Sequence, residues 1–147
     1  CHLFGYPVLV SADGALIAVE MARHTANPGQ VYFAAGSLDL ADVADGRCDI
    51  EGNMRREVRE ETGLDLDSAR ADPVLYASYR TQRLTLVRLF RFEQTADELV
   101  EQVGAHIRNC AEPEISRAVV IRSGDPQAER YGVAMLPILA WYFGESC

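Results

Sequence analysis

The stretch Arg56–Leu64, with the sequence REVREETGL, constrains the fold of this chain more than any other. In a helix, Glu57, Glu60 and Glu61 stand at i, i+3 and i+4, so their carboxylates leave one face within a single turn. Such like-charge neighbours destabilise an isolated helix by roughly 0.2–0.5 kcal/mol per pair, and burial raises that cost. Spacing alone allows a solvated acidic face with i, i+4 ion pairs. The other hypothesis is that these carboxylates bind a divalent ion, because Mg²⁺ takes oxygen ligands.

The residues around this stretch predict where its helix begins and ends. Asp49 is a suitable N-cap for a helix beginning near Ile50, and Gly63 supplies the left-handed residue that ends it. Ile50, Met54 and Val58 recur every four residues and predict an apolar stripe that packs against a sheet. One helix therefore carries both the anchoring face and the acidic face.

At every specified position, Arg56–Leu64 resembles the second half of the Nudix box, written Gx5Ex7REUxEExGU with U apolar. Upstream, residues 32–39 resemble the strand end and glycine turn that open the box. The resemblance covers residues 31–64 closely and the rest only in outline. It implies an α/β (α+β) fold over a single domain of residues 1–147. That fold is an α/β/α sandwich whose mixed sheet is mostly antiparallel at its edges.

The resemblance also implies a function, which is hydrolysis of the pyrophosphate bond of a nucleoside diphosphate linked to another moiety. The implied cofactor is Mg²⁺, with Mn²⁺ as the alternative. The implied metal ligands are Glu57, Glu60, Glu61 and the backbone at Ala35 or Gly36. The implied catalytic residues are Glu57, Glu60, a bracing Arg56, and Glu112 or Glu114 as a further ligand or general base. Which nucleotide is cleaved stays open among ADP-ribose, nucleotide sugars, dinucleoside polyphosphates and damaged nucleoside triphosphates.

The box is interrupted in this chain. Arg56 follows Gly36 by twenty positions, six more than the pattern allows, and Cys48 stands where the pattern has its first glutamate. Four carboxylates are candidates to replace it, namely Asp42, Asp45, Asp49 and Glu51. We expect altered architecture rather than lost chemistry. The alternative function is a catalytically inactive Nudix-like module that binds nucleotides or regulates.

Charge and composition restrict the partners. The 147 residues, 48% hydrophobic and 24% charged, are typical of one globular domain. The formal net charge of −8 argues against a nucleic-acid polymer as ligand, whereas a small nucleotide substrate is compatible with it. No apolar run approaches the ~18–20 residues of a membrane span, so we expect no membrane partner. A homodimer is an open alternative, since dimers are frequent in the resembled family.

The four cysteines are scattered and form no CxxC motif, which argues against a zinc site. We expect reduced thiols in a cytoplasmic protein, with a bond between Cys1 and Cys147 as the weaker alternative. The chain begins at Cys1 without Met or a signal-like segment, so we expect a leading stretch to be missing from it or removed.

Hydrophobic periodicity and turn residues predict the remaining elements. Strands are predicted at Tyr6–Val10, Ala15–Met21, Val31–Ala35, Val74–Arg80, Leu84–Phe92 and Arg117–Arg122, with an Asp13-Gly14 turn after the first and a Thr81-Gln82 turn after the fourth. Further helices are predicted at Ala96–Cys110 and Tyr131–Phe143. Connections are predicted as a surface loop at Asp39–Arg47, a polar segment at Leu64–Pro73 and a loop at Ser123–Arg130. Trp141 is predicted to lie in the core.

Four arginines cluster within twelve positions, at Arg80, Arg83, Arg88 and Arg91. Most are expected to be solvated charges on the sheet. Arg80 and Arg83 are the candidates to bind substrate phosphates, because a guanidinium fork matches phosphate oxygens bidentately. His24 and His106 are predicted to be surface residues rather than catalysts.

Overall fold

A mixed β-sheet forms the middle layer of the computed structural model, which describes residues 2–38, 40–80 and 82–144. The strands are β1 His2–Val10, β2 Leu16–Met21, β3 Val31–Tyr32, β4 Val43–Ala44, β5 Arg47–Cys48, β6 Arg70–Ala71, β7 Tyr76–Arg80, β8 Arg83–Arg91 and β9 Ile115–Ile121. The α-helices are α1 Ile50–Thr62, α2 Ala96–Arg108 and α3 Leu136–Tyr142. Short 3₁₀ turns lie at Leu40–Asp42, Leu66–Ser68 and Val133–Met135.

The sheet is built around the parallel pair β1 and β8, which run together from His2↔Arg83 to Val10↔Arg91. β2 pairs antiparallel with β1, β3 and β9, while β6 and β7 both pair antiparallel with β8. This confirms the predicted mixed sheet with antiparallel edges. β8 lies inside the sheet, with β1 on one side and β6 and β7 on the other.

Two apolar cores cover the two faces of the sheet, because successive side chains of a strand point to opposite faces. Leu9 of β1 faces the core formed with α1 and α2, where Met54, Val58, Leu99 and Val103 are fully buried. Val8 and Val10 face the other core, to which α3 contributes Ile138 and Leu139. The result is the predicted three-layer α/β/α arrangement.

Local capping fixes α1, the helix that carries the three glutamates. The Asp49 carboxylate accepts a hydrogen bond from the Gly52 amide at 3.0 Å, and Gly63 ends the helix at φ 76°. Both caps are as predicted. No helix within the described ranges is long and apolar enough to cross a bilayer, since the longest have 13 residues.

Several predicted boundaries are wrong. The segment predicted as a loop from Asp39 contains a 3₁₀ turn and the β4–β5 hairpin; Asp39 itself lies outside the described residues. β3 ends at Tyr32 rather than Ala35. The segment 64–73 is not simply a polar connection, because Leu64 and Leu66 are buried and β6 joins the sheet.

The C-terminal helix also differs from its prediction. It is helical only from Leu136, where Pro137 occupies the first turn, the position in which a missing N–H costs nothing. Trp141 is 43% exposed and packs against Tyr76 with tilted rings whose centroids are 4.4 Å apart, so its assignment to the core is wrong. Thr81, Cys1 and Cys147 lie outside the described residues, so the predicted turn is seen only at Gln82 (φ 62°).

Candidate active site

Five carboxylates surround one cavity of about 240 Å³ at the C-terminal end of α1. The helix contributes three of them, as its i, i+3, i+4 spacing predicts. The other two come from the loop that precedes β9. The lining residues are Glu57, Glu60, Glu61, His106, Cys110, Glu112, Pro113 and Glu114.

The acidic groups repel one another in this cavity. Burial, followed by the charges of Glu57 and Glu114, raises the pKa of Glu61 to about 8. Burial and the charge of Glu60 also raise the pKa of Glu57, although the Arg56 guanidinium opposes the rise. The raised pKa values reflect first the burial of these two carboxyls and then the negative charge gathered around them, which a cation would neutralise.

The glycine turn after β3 touches this cluster directly. A Cβ on Gly36 would lie 2.4 Å from the carboxyl carbon of Glu57, so only glycine lets that carboxylate rest against the backbone. The Ala35 backbone N–H donates a hydrogen bond to the Glu61 carboxylate, which lowers the pKa of Glu61 against the larger opposing effects. The turn and the helix, separate in sequence, are thus in contact as the box resemblance implied.

Asp42 resolves the interruption of the box. It is 3% exposed, and its carboxylate accepts hydrogen bonds from Arg56 Nη1 at 2.8 Å and Asn53 Nδ2 at 3.3 Å. It lies six positions after Gly36, the spacing that the pattern gives its first glutamate. The six extra residues that follow form the hairpin 43–48. Asp42 therefore stands in for the first glutamate of the box, and its carboxylate holds Arg56.

The other three candidates for that carboxylate have different partners. Asp45 occupies the tight turn between β4 and β5 at φ 52°. Asp49 caps α1, and Glu51 binds Arg88 at 2.6 Å. Counting forward from Gly36, rather than back from Arg56, would have selected Asp42 from the sequence.

His106 belongs to the cavity, which its surface assignment did not anticipate. Its Nε2 lies 3.0 Å from the Glu60 carbonyl oxygen and its ring packs beside Gly63, where a Cβ would lie 2.7 Å from it. It thereby joins α2 to the end of α1. His24 is exposed and lines a separate cavity, consistent with its predicted surface position. Cys48 and Cys110 are free thiols.

A second cavity, of about 310 Å³, adjoins the acidic one through Glu61, which lines both. Its walls include four aromatic side chains, Phe4, Tyr6, Tyr32 and Phe33, together with aliphatic and polar residues, and we call it the aromatic cavity. Arg83 lines it as well, with its guanidinium carbon 5.1 Å from the centre of the Phe4 ring. An aromatic cavity with one cation beside a carboxylate cluster suits a nucleoside joined to phosphates.

The predicted arginine cluster divides into two groups. Arg88 pairs with Glu51 at 2.6 Å, and Arg91 pairs with Asp72 at 2.9 Å, so both are engaged structurally. Arg80 and Arg83 instead line a common cavity. They remain the candidates for phosphate binding.

The donor set suits Mg²⁺, because carboxylate oxygens are the ligands it prefers and their shared charge calls for a cation. The side chains are not yet arranged around it. Within the described parts of the chain, no three Asp, Glu, His or Cys side chains converge closely enough to hold an ion.

This chain was compared with family models, with curated proteins and with solved structures. No family model matches the chain, and no curated protein matches its sequence. Solved structures do match across nearly the whole chain. DR0079 from Deinococcus radiodurans shares 14% identity with a TM-score of 0.68, covering 97% of this chain and 83% of that one. A C. elegans Ap4A hydrolase shares 10% identity with a TM-score of 0.66, covering 97% and 96%.

A third match is described as a Nudix hydrolase. It is RenU from M. smegmatis, at 11% identity and a TM-score of 0.61, covering 99% of this chain and 86% of that one. The chain has the Nudix fold. This confirms the architecture that the sequence of Arg56–Leu64 implied. In the Nudix fold of this chain, α1 lies against one face of the sheet and its glutamates meet the glycine turn after β3.

Proposed function

We propose that this chain is a Mg²⁺-dependent hydrolase of the Nudix type, cleaving the pyrophosphate bond of a nucleoside diphosphate linked to another moiety. The observation that carries the proposal is the single cavity bounded by Glu57, Glu60 and Glu61 on one side and Glu112 and Glu114 on the other. A cluster so acidic is costly without a cation. The adjoining aromatic cavity offers a place for the nucleoside.

When bound, Mg²⁺ supplies neutralisation of the phosphoryl oxygens and a lowered pKa for a coordinated water. Glu57, Glu60 and Glu61 would hold the ion, with the backbone at Ala35 or Gly36 at the edge of the site. Arg56, fixed by Asp42, keeps the side of α1 that carries Glu57 against the glycine turn. Arg80 and Arg83, which line one cavity, would bind phosphate oxygens of the substrate farther from the carboxylates.

Glu114 is the better candidate for the residue that accepts the proton of the attacking water. Its charge raises the pKa of both Glu57 and Glu61, so it lies near the two most buried carboxylates of the cluster. Glu112 lines the same cavity but has no comparable effect on either group. A base adjoining the water and anchored on a separate loop can move its proton away from the phosphate.

The test is a screen of purified protein with Mg²⁺ against nucleoside diphosphate derivatives, reading phosphate released after phosphatase coupling. Wild type should hydrolyse at least one compound, and Glu61→Gln should lower its kcat by about 100-fold or more, as loss of a metal ligand does. Glu93→Gln, at an exposed position away from the cavity, is the matched control. Undiminished hydrolysis by Glu61→Gln would show that the metal site is wrongly assigned.

The alternative is a Nudix-fold module that binds nucleotides without turnover. The six-residue insertion in the box and Cys48, which stands where the pattern has its first glutamate, motivate this alternative. The presence of all three α1 glutamates favours the hydrolase. Calorimetry distinguishes the two, because tight nucleotide binding with no product over hours belongs to the module alone.

Three further expectations complete the proposal. We place the enzyme in the cytoplasm on the basis of its scattered cysteines, and cell fractionation tests that placement. We expect no nucleic-acid polymer as ligand because of the net charge of −8. Self-association into a homodimer is tested by light scattering across a concentration series.

A further inference from the structure

The hairpin of β7 and β8 arranges four polar side chains on one face of the sheet. In its register, Ser78 lies opposite Thr85 and Arg80 lies opposite Arg83. Residues two apart along a strand share a face, so the two pairs stand side by side. All four line one cavity of about 260 Å³, which Val133 and Ala134 complete. We call these four residues the arginine square.

The charges of the arginine square are uncompensated. Like charges directly opposite in an antiparallel pair are destabilising. No ion pair links Arg80 or Arg83 to any described residue, whereas Arg88 and Arg91 on the same strand β8 each have an acidic partner. The segment 73–92 contains no Asp or Glu at all, in a chain of net charge −8. Two facing guanidinium groups at a cavity wall are stabilised by an anion that both can reach.

The hydroxyl groups specify what kind of anion fits. Arg80 and Arg83 each offer several N–H donors in a planar fork, while Ser78 and Thr85 each offer one O–H donor. A phosphate group presents several acceptor oxygens and up to two negative charges, which matches two cations and two hydroxyl donors. A carboxylate, with two oxygens and one charge, would leave part of this set unused.

The arginine square is connected to the candidate active site. Arg83 lines both this cavity and the aromatic cavity, and Glu61 lines both the aromatic cavity and the acidic one. A single elongated molecule can therefore extend from the carboxylates, past the aromatic side chains, to the arginines. In such a molecule, the phosphate beside the arginines is a different group from the phosphates beside the carboxylates.

We propose that the arginine square binds a phosphate of the substrate other than the two joined at the scissile bond, an inference that rests on the proposed function. The substrate class is then a nucleotide with an additional phosphate. That group is either a phosphomonoester on the ribose or the continuation of a longer polyphosphate chain. The two sources present the same chemistry to the arginines.

Equilibrium binding in EDTA tests the site without any hydrolysis. Inorganic phosphate is titrated into wild type, Arg80→Gln and Arg70→Gln by calorimetry. Arg70 is an exposed arginine of β6 that has no described ion-pair partner and lies outside the cavity, so it is the matched control. Losing one charge-assisted bond should weaken phosphate binding by about tenfold in Arg80→Gln and leave it unchanged in Arg70→Gln. Equal affinities in all three proteins would overturn the proposal.

Matched ligand pairs then identify the source of the phosphate. NADPH against NADH isolates a ribose phosphate, and diadenosine tetraphosphate against diadenosine diphosphate isolates a longer chain. The favoured pair should show tighter binding of the more phosphorylated member by about tenfold, and Arg80→Gln should remove that difference while Arg70→Gln keeps it. If neither pair discriminates, the square does not serve the substrate and the proposal fails. With Mg²⁺, the preference should appear in KM rather than kcat.

These outcomes separate the inference from the proposed function. A protein that hydrolyses nothing but binds phosphate through Arg80 refutes the hydrolase and retains the site. A protein that hydrolyses a nucleotide but binds phosphate equally well as Arg80→Gln supports the hydrolase and refutes the phosphate site. Folding is monitored in parallel, because Arg80→Gln relieves the facing charges and should not lower the melting temperature in phosphate-free buffer.

Discussion

Replacing Glu61 by Gln should stabilise the metal-free protein at high pH. The pKa of Glu61 in the folded state, about 8, exceeds its ordinary value of 4.5 because the carboxyl is buried among other carboxylates. The folded protein thus holds this proton more tightly than the unfolded chain does. Stability from this group is fully present below about pH 4.5 and is lost as the pH rises through about 8. Gln mimics the protonated form and does not titrate.

The size of the effect follows from the pKa difference. One unit corresponds to about 1.4 kcal/mol, so linkage between pH 5 and pH 9 amounts to about 4 kcal/mol as an upper limit. Glu57 and Glu114 share the repulsion, and partial exposure of Glu61 lets water screen it. We therefore expect the free energy of unfolding of the wild type to fall by about 2 kcal/mol more than that of Glu61→Gln over this range.

The assay is urea unfolding in EDTA at pH 5 and pH 9. The change in the free energy of unfolding between the two pH values is measured for the wild type, for Glu61→Gln and for the Glu93→Gln control. Adding Mg²⁺ at pH 9 should restore stability to the wild type and have little effect on Glu61→Gln, because the ion neutralises the same charge that the substitution removes. A difference between wild type and Glu61→Gln that is identical at pH 5 and pH 9 would refute the account of the site.

Three other predictions concern the architecture of the box. Gly36→Ala should lower the rate of Mg²⁺-dependent hydrolysis by about 10–100-fold, because the added Cβ displaces the Glu57 carboxylate. The control in the same assay is Gly104→Ala on α2, where an added Cβ meets only the end of the Arg108 side chain. Asp42→Ala should lower the free energy of unfolding in urea by about 1.5–3 kcal/mol, because it removes the buried carboxylate that binds Arg56. The control is Asp67→Ala, which breaks an exposed ion pair with Arg55 and should lower it by only about 0–1 kcal/mol. Deleting residues 43–48 should leave the circular dichroism spectrum and the hydrolytic activity largely intact. The two ends of the deleted segment are already close, because the Asp49 N–H donates to the Asp42 carbonyl oxygen at 2.6 Å. Loss of the folded state would contradict this prediction.

Local chemistry made much of this fold predictable. The Asp49 cap, the Gly63 stop and the stripe of Met54 and Val58 are set within one helix, so short-range rules suffice for α1. The Asp13-Gly14 turn likewise joins β1 to β2 as expected. In each case the determining atoms lie within a few residues of one another.

The errors arise where distant packing decides. A helix as short as α3 has too few turns for its apolar residues to define one face, and Trp141 is left outside the core. The approach of Glu114 to α1 depends on how α2 and β9 pack, so the family resemblance indicated this residue where no local pattern could. The β4–β5 hairpin, by contrast, was predictable, because Asp45-Gly46 is the same turn signal as Asp13-Gly14.

That hairpin shows how a sequence motif can be split while its three-dimensional counterpart stays whole. Its two strands pair with each other through Val43↔Cys48 and Ala44↔Arg47, and all six residues are exposed. Added length at this point projects into solvent and leaves Asp42 and Arg56 in register. Searches that demand one unbroken string will overlook chains of this kind, whereas a search for two half-motifs with a variable gap will retrieve them. The exposed turn of this hairpin is therefore a suitable place to graft a fluorescent reporter.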